Sequence, residues 1–151
     1  MLLLIFKLKI CSYNCRSLKS SVSEIQALLA NVDILFLQET WLLDIELGLI
    51  SNLHKDFFGR GIGTDSSKGL CKGRNSGGLA ILWRKCLNEM ISIIVMNDER
   101  LMGCEIINSH GDKLFLSNVY LPDCRLENFD EFCFYLGKID SQLSSSDTPF
   151  A

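Results

Sequence analysis

The apolar run Ile34-Leu35-Phe36-Leu37 constrains this chain more than any other feature. Four consecutive apolar residues do not alternate between core and water, so the run reads as a strand covered on both faces. Gln38, Glu39 and Thr40 come directly after it. A buried strand that delivers a lone carboxylate to its C-terminal end is a common way to build a metal site. Upstream, Phe6, Leu8 and Ile10 alternate with Lys7 and Lys9. That is the period of a first strand, expected to end near Tyr13 and Asn14. Between the two strands, Ser21-Val22-Ser23-Glu24 has the capping-box pattern of a helix start. Val22, Ile25, Leu28, Leu29 and Val32 then recur at helical spacing, and Asp33 closes the unit. The chain to Thr40 therefore reads β-α-β, which favours parallel pairing of its two strands.

Further along, residues 41–53 suggest a short helical or irregular piece with Leu43, Leu47 and Ile50 inward. Strands are expected over 57–62, 78–83, 90–96, 101–107 and 113–120. Asn108-Ser109-His110-Gly111-Asp112 reads as the hairpin turn between the last two. The polar stretch 64–75, rich in Gly, Ser and Lys, is expected to be a loop. Leu126, Phe129, Phe132, Leu136, Ile139 and Leu143 form the apolar stripe of a second helix, with Cys133 half-buried beside it. Gly59-Arg60-Gly61-Ile62-Gly63 superficially matches a dinucleotide-binding loop, but it follows no βαβ unit and opens no helix.

At 151 residues the chain is one domain at most, and 48% hydrophobic content is that of a globular protein. A net charge of -3 is not the balance of a DNA-binding surface. The charge is uneven, however: Arg60, Lys68, Lys72, Arg74, Arg84 and Lys85 are opposed only by Asp65. A solvated loop with a strand end and a phosphate-tracking patch both remain open for that stretch. Seven cysteines cannot all pair internally, and they contain no CxxC spacing. Reduced, mostly buried thiols in an intracellular setting, the nucleus included, are expected. Lys7 and Lys9 interrupt the apolar start, so Met1–Phe6 reads as a leader ahead of the first strand, not a signal peptide. No run reaches the roughly 20 apolar residues of a membrane span.

Three polar residues close strand-like runs: Asn14, Glu39 and Tyr120. A glutamate after a strand, taken alone, is usually a solvated surface residue. A strand-end asparagine usually satisfies local backbone groups, and a strand-end tyrosine is usually an amphipathic boundary residue. The pattern around them changes that reading. Ser12-Tyr13-Asn14-Cys15-Arg16, Leu37-Gln38-Glu39-Thr40, Ser76-Gly77-Gly78-Leu79-Ala80-Ile81-Leu82-Trp83 and Asn118-Val119-Tyr120-Leu121-Pro122 occur in this order. Together they resemble the endonuclease/exonuclease/phosphatase family of Mg-dependent phosphodiesterases, from about Lys9 to Ala151. The pairing of the first two segments is most similar to endonuclease domains of non-LTR retrotransposons.

The resemblance implies a two-sheet α/β sandwich with helices outside. It implies Mg²⁺, with Mn²⁺ as the alternative, held by Glu39 with Asn14 beside it. It places Tyr120 near the scissile phosphate, where a phenol donates to a developing oxyanion. Asn14, Glu39 and Tyr120 are thus the catalytic candidates, converging at one end of the sheet. Arg74 is a candidate phosphate contact to nucleic acid, and DNA is the implied partner. Two positions depart from the family: Arg16 stands where some members have an acid, and Asp123 where some have asparagine. The family's Gly-Asp-x-Asn and Ser-Asp-His motifs are missing; the last acid, Asp147, precedes Thr148-Pro149, and no histidine follows His110. Residues 1–151 are therefore expected to form a partial domain, truncated to the N-terminal half of the sandwich. Such a chain should be inactive alone, and its uncovered sheet face should favour self-association. A non-catalytic remnant or binding module, and another phosphodiesterase or phosphatase branch of the same family, are the rival readings.

Overall fold

The computed structural model describes residues 7–64, 77–95, 98–122 and 125–145. Strand β1 (Ile10–Asn14) and strand β2 (Ile34–Gln38) flank helix α1 (Val22–Leu29) and pair in parallel, Asn14 opposite Gln38. A 3-10 turn (Asp44–Glu46) and helix α2 (Gly48–Ser51) lead to strand β3 (Phe57–Ile62). Strand β4 (Leu79–Arg84) runs antiparallel between β2 and β3, giving a first sheet of order β1-β2-β4-β3. A 3-10 segment (Lys85–Met90) then enters the second sheet, β5 (Ile91–Val95), β6 (Leu101–Ile107) and β7 (Lys113–Val119), paired antiparallel in sequence order. The expected hairpin joins β6 to β7 through Asn108, whose side-chain oxygen accepts from the backbone of His110 and Asp112. A last 3-10 turn (Leu126–Asn128) opens helix α3 (Phe129–Ser145).

The first sheet has an apolar layer on each face, which is why β2 reads as an unbroken apolar run. Leu35 and Leu37 pack with Ile25 and Leu29 of α1 and with Leu42, Ile50 and Leu53 of the α2 region. Ile34 and Phe36 point the other way, onto Met102, Cys104 and Ile106 of the second sheet. Each fully buried side chain of this kind contributes about 1.5–3 kcal/mol. The glycines of β3 serve close packing: a Cβ on Gly59 or Gly61 would stand 2.5 or 2.4 Å from the Ile50 side chain.

Several sequence expectations are corrected. Ser21 does not cap α1 with its side chain; its hydroxyl donates instead to the Cys15 carbonyl at 2.8 Å. Leu42 is the fully buried residue after β2, and Leu43 is only half-buried. On α3 the expected stripe faces inward only in part: Phe132 and Ile139 are half-buried. Leu126 is 97% exposed, Phe129 and Leu136 are exposed, and Tyr135 is the buried residue. Polar contacts select that face: Asp98 hydrogen-bonds Lys138 and Tyr135, and Arg100 pairs with Glu131 at 3.2 Å. Cys133 is exposed, as is Cys86; of the described thiols only Cys15 and Cys104 are buried. The side chain of Leu143, the 65–76 segment with Arg74, and Asp123 lie outside the described residues. Among the described residues no helix is long and apolar enough to cross a membrane.

The second sheet lies against β2 and β4 through β7, so β1 and β7 end the two sheets on the same flank. Among the described residues neither outer edge has a strand partner. Ile10, Ser12 and Asn14 of β1, on the side that faces between the sheets, are exposed there.

Candidate active site

β1 and β2 are parallel, so both release their chains at the same end of the sheet. The backbone just past both ends is strained. Arg16 (φ 45), Ser17 (φ 100), Glu39 (φ 54) and Trp41 (φ 57) all occupy the left-handed region. Such conformations cost of order 1–3 kcal/mol each in side-chain-bearing residues and cluster where function demands them. The Glu39 turn is gripped from both sides. Ser17 N–H donates to the Glu39 carbonyl at 2.8 Å and Leu18 N–H to that of Thr40 at 2.9 Å. On the other side, the N–H groups of Thr40 and Trp41 donate to the carbonyls of Gly78 and Gly77, both at 3.1 Å. Gly78 has φ 82, and a Cβ there would stand 2.5 Å from Thr40 Oγ1, so only glycine permits this approach.

The turn brings the sequence candidates together. Asn14 Nδ2 donates to Glu39 Oε1 at 2.7 Å. Asn14 Oδ1 accepts from the Arg16 N–H at 3.3 Å. Tyr120, arriving from β7 in the other sheet, hydrogen-bonds the Glu39 carboxylate. Burial first, then that bond and the charge of Glu39, push the Tyr120 hydroxyl above its ordinary range, with Arg100 and Arg16 opposing. The phenol therefore keeps its proton at neutral pH and remains a donor. Arg100 braces it: Nη1 donates to the Tyr120 carbonyl at 3.3 Å, and the guanidinium lies 5.8 Å from the ring centre. Cys15, beneath the turn, is no nucleophile; burial pushes its thiol up to about 11.

The group open to a cation is the half-buried Glu39 carboxylate; the exposed Asn14 amide beside it turns Nδ2 to Glu39 and Oδ1 to the Arg16 N–H. Among the described residues no three His, Cys, Asp or Glu gather as a metal cage. One carboxylate with open positions fits a hard cation of the Mg²⁺ type, which keeps several waters and is seldom caged by protein alone.

Two described residues of the basic stretch are not at this end; Lys68, Lys72 and Arg74 lie outside the described residues. Arg84 and Lys85 lie at the opposite end of the first sheet, where Arg84 pairs with Asp33 at 3.0 Å. Sequence reasoning also passed over Asn118. Leu114, Leu116 and Tyr120 of the β7 segment pack against the inter-sheet core, and Asn118 falls in the same two-residue period yet is 1% exposed. A polar residue inside an apolar alternation was the available signal.

Two sheets with helices outside, and a strand-end carboxylate held by an amide and a phenol, define an α/β sandwich of the nuclease and phosphatase kind. The chain belongs to the Endonuclease/Exonuclease/phosphatase family, whose pattern it matches over residues 11–150. It is similar in fold to the AP endonuclease LMAP from Leishmania major (TM-score 0.65, 14% identity), covering 90% of this chain and 46% of that one. It is also similar to the 3' phosphatase NExo from Neisseria bound to product DNA hairpin (TM-score 0.59, 18% identity, 91% and 53% covered). TDP2 from C. elegans gives TM-score 0.55 at 24% identity, with 94% and 45% covered. The chain thus spans about half the length of these solved relatives. No curated protein matches its sequence.

Proposed function

We propose that this chain carries the metal-binding part of a divalent-metal-dependent phosphodiesterase that cleaves DNA, of the non-LTR retrotransposon endonuclease type. The observation that carries the reading is the Asn14–Glu39 hydrogen bond of 2.7 Å with Tyr120 on the same carboxylate. Asn14 fixes one carboxylate oxygen and leaves the group open to solvent. Tyr120, kept protonated, can turn its hydroxyl to a phosphate oxygen as charge develops there. Arg16, exposed at the same mouth, offers a cation to phosphate. A bound Mg²⁺ or Mn²⁺ would supply Lewis acidity toward the phosphoryl oxygen. DNA as substrate is supported by the relative named as an AP endonuclease and by the one bound to a DNA hairpin. The retrotransposon branch is supported by the Ser12–Leu18 and Leu37–Leu42 segments.

The edges of β1 and β7, which have no strand partner among the described residues, support a second element of the reading. Residues 1–151 are part of a domain whose remaining strands would extend both sheets there.

Titrating the ¹⁵N-labelled chain with Mn²⁺ tests the metal role. Paramagnetic broadening should be confined to Asn14, Glu39, Tyr120 and their neighbours, and Glu39→Gln should remove it while circular dichroism stays unchanged. Broadening that survives the substitution, or never centres on Glu39, would overturn the assignment.

A further inference from the structure

We propose that Asn118 is a positioning residue for the Glu39 turn, clamping the end of β2 from the opposite sheet. The inference deepens the reading of Glu39 as a metal ligand and rests on it for its functional meaning. Asn118 is 1% exposed and uses its whole amide group. Its Nδ2 donates to the carbonyls of Leu37 and Ala80, both at 3.0 Å. Those two residues are register partners across β2 and β4, so one amide ties both strands. Its Oδ1 accepts from Gln38 Nε2 at 2.6 Å. Gln38 Nε2 in turn reaches Ser12 Oγ at 3.0 Å. The network therefore runs from β7 through β2 to β1, just before Glu39 on one strand and two residues before Asn14 on the other.

A leucine would continue the apolar alternation of Leu114 and Leu116 at lower desolvation cost. An amide here is tolerated because each of its polar atoms is bonded, and a fully satisfied buried network specifies one arrangement of its partners. The arrangement it specifies lies directly under the strained turn. Left-handed φ at Glu39 persists only where the surroundings over-determine it. Asn118 supplies the constraint from the second sheet that the backbone bonds to Ser17, Gly77 and Gly78 supply from the first.

The test compares hydrogen exchange and side-chain amide signals in the wild-type chain, Asn118→Leu and Asn118→Asp. Asn118→Asp keeps the shape and the acceptor for Gln38 but cannot donate to the two carbonyls when ionised. Ile106→Val, a control in the same inter-sheet core, sets the level of general destabilisation. In both Asn118 variants the amides of Ser17, Thr40 and Trp41 should lose protection by about 10- to 100-fold more than in the control. The Asn14 side-chain amide should also lose the downfield shift given by its bond to Glu39. Protection of these amides equal to the control, loss spread evenly over β2, β4 and β7, or failure of both variants to fold would overturn the proposal. In that last case Asn118 would be a general support of the sandwich. Mn²⁺ broadening in the wild type is scored separately. Its absence would sink the metal reading, while altered exchange at the turn would still establish the clamp.

Discussion

Asn14 and Glu39 are 25 positions apart, yet the Asn14 amide donates to the Glu39 carboxylate at 2.7 Å. The contact arises from parallel pairing: Asn14 stands opposite Gln38, so the next residue after β2 turns its side chain past the end of β1. The left-handed conformation of Glu39 completes the turn. A site assembled in this way depends on the backbone that carries it, and that dependence can be measured.

The 151-residue chain alone should not cleave DNA. Glu39 is the carboxylate at the site, and no cage of three acids, cysteines or histidines exists among the described residues. The Gly-Asp-x-Asn and Ser-Asp-His motifs that the family resemblance leads one to expect as base and phosphate holder do not occur in residues 1–151, and such groups contribute typically 10²–10⁴-fold. Supercoiled plasmid with Mg²⁺ should show no nicking above background. Nicking that Glu39→Ala abolishes would refute this.

Gly78→Ala should damage the turn. The residue has φ 82, and the added methyl would stand 2.5 Å from Thr40 Oγ1. A destabilisation of about 1–3 kcal/mol is expected in urea unfolding. Gly111→Ala, also at positive φ but with nothing near its Cβ, should cost less. Equal losses in the two variants would show that the close approach at Thr40 has no weight.

Thiol chemistry should divide the cysteines. Burial pushes Cys15 up to about 11 and Cys104 up to about 12, whereas Cys86 and Cys133 are exposed. Alkylation at pH 8 should label Cys86 and Cys133 in the native chain and reach Cys15 and Cys104 only after unfolding. Mass spectrometry of the labelled peptides reads the outcome, and native labelling of Cys15 would contradict the burial described.

Acid should loosen α3 before the rest of the chain. Burial alone would raise the Asp98 carboxyl, but hydrogen bonds from Lys138, the Arg100 N–H and Tyr135 hold it below its ordinary value. A depressed folded value means a contribution that is present above the ordinary carboxylate range and lost as pH falls through the folded value. Tyr135 near-ultraviolet signal, followed from pH 7 downward, should fall in the acid range. Asp98→Asn should weaken docking at neutral pH and remove that acid-dependent step. A variant with the wild-type profile would release Asp98 from this role.

The sequence by itself determined the elements that rest on local pattern. An unbroken apolar run gave β2 its two covered faces, helical spacing gave α1, and the Asn108 to Asp112 turn gave the β6–β7 hairpin. It also placed Asn14, Glu39 and Tyr120 at strand ends, because strand ends are where periodicity stops. The face of α3 was not legible in the same way. Phe129 and Leu136 of its apolar stripe are exposed and Phe132 and Ile139 only half-buried, since Asp98 and Arg100 draw Lys138, Tyr135 and Glu131 toward the second sheet. Nor was the Asn118 clamp legible, because Gln38 and Asn118 are 80 positions apart and meet only where two sheets pack. Period and composition encode which side of an element is wet. Which distant polar groups satisfy one another is decided when the sheets close, since only then does an unbonded amide become costly.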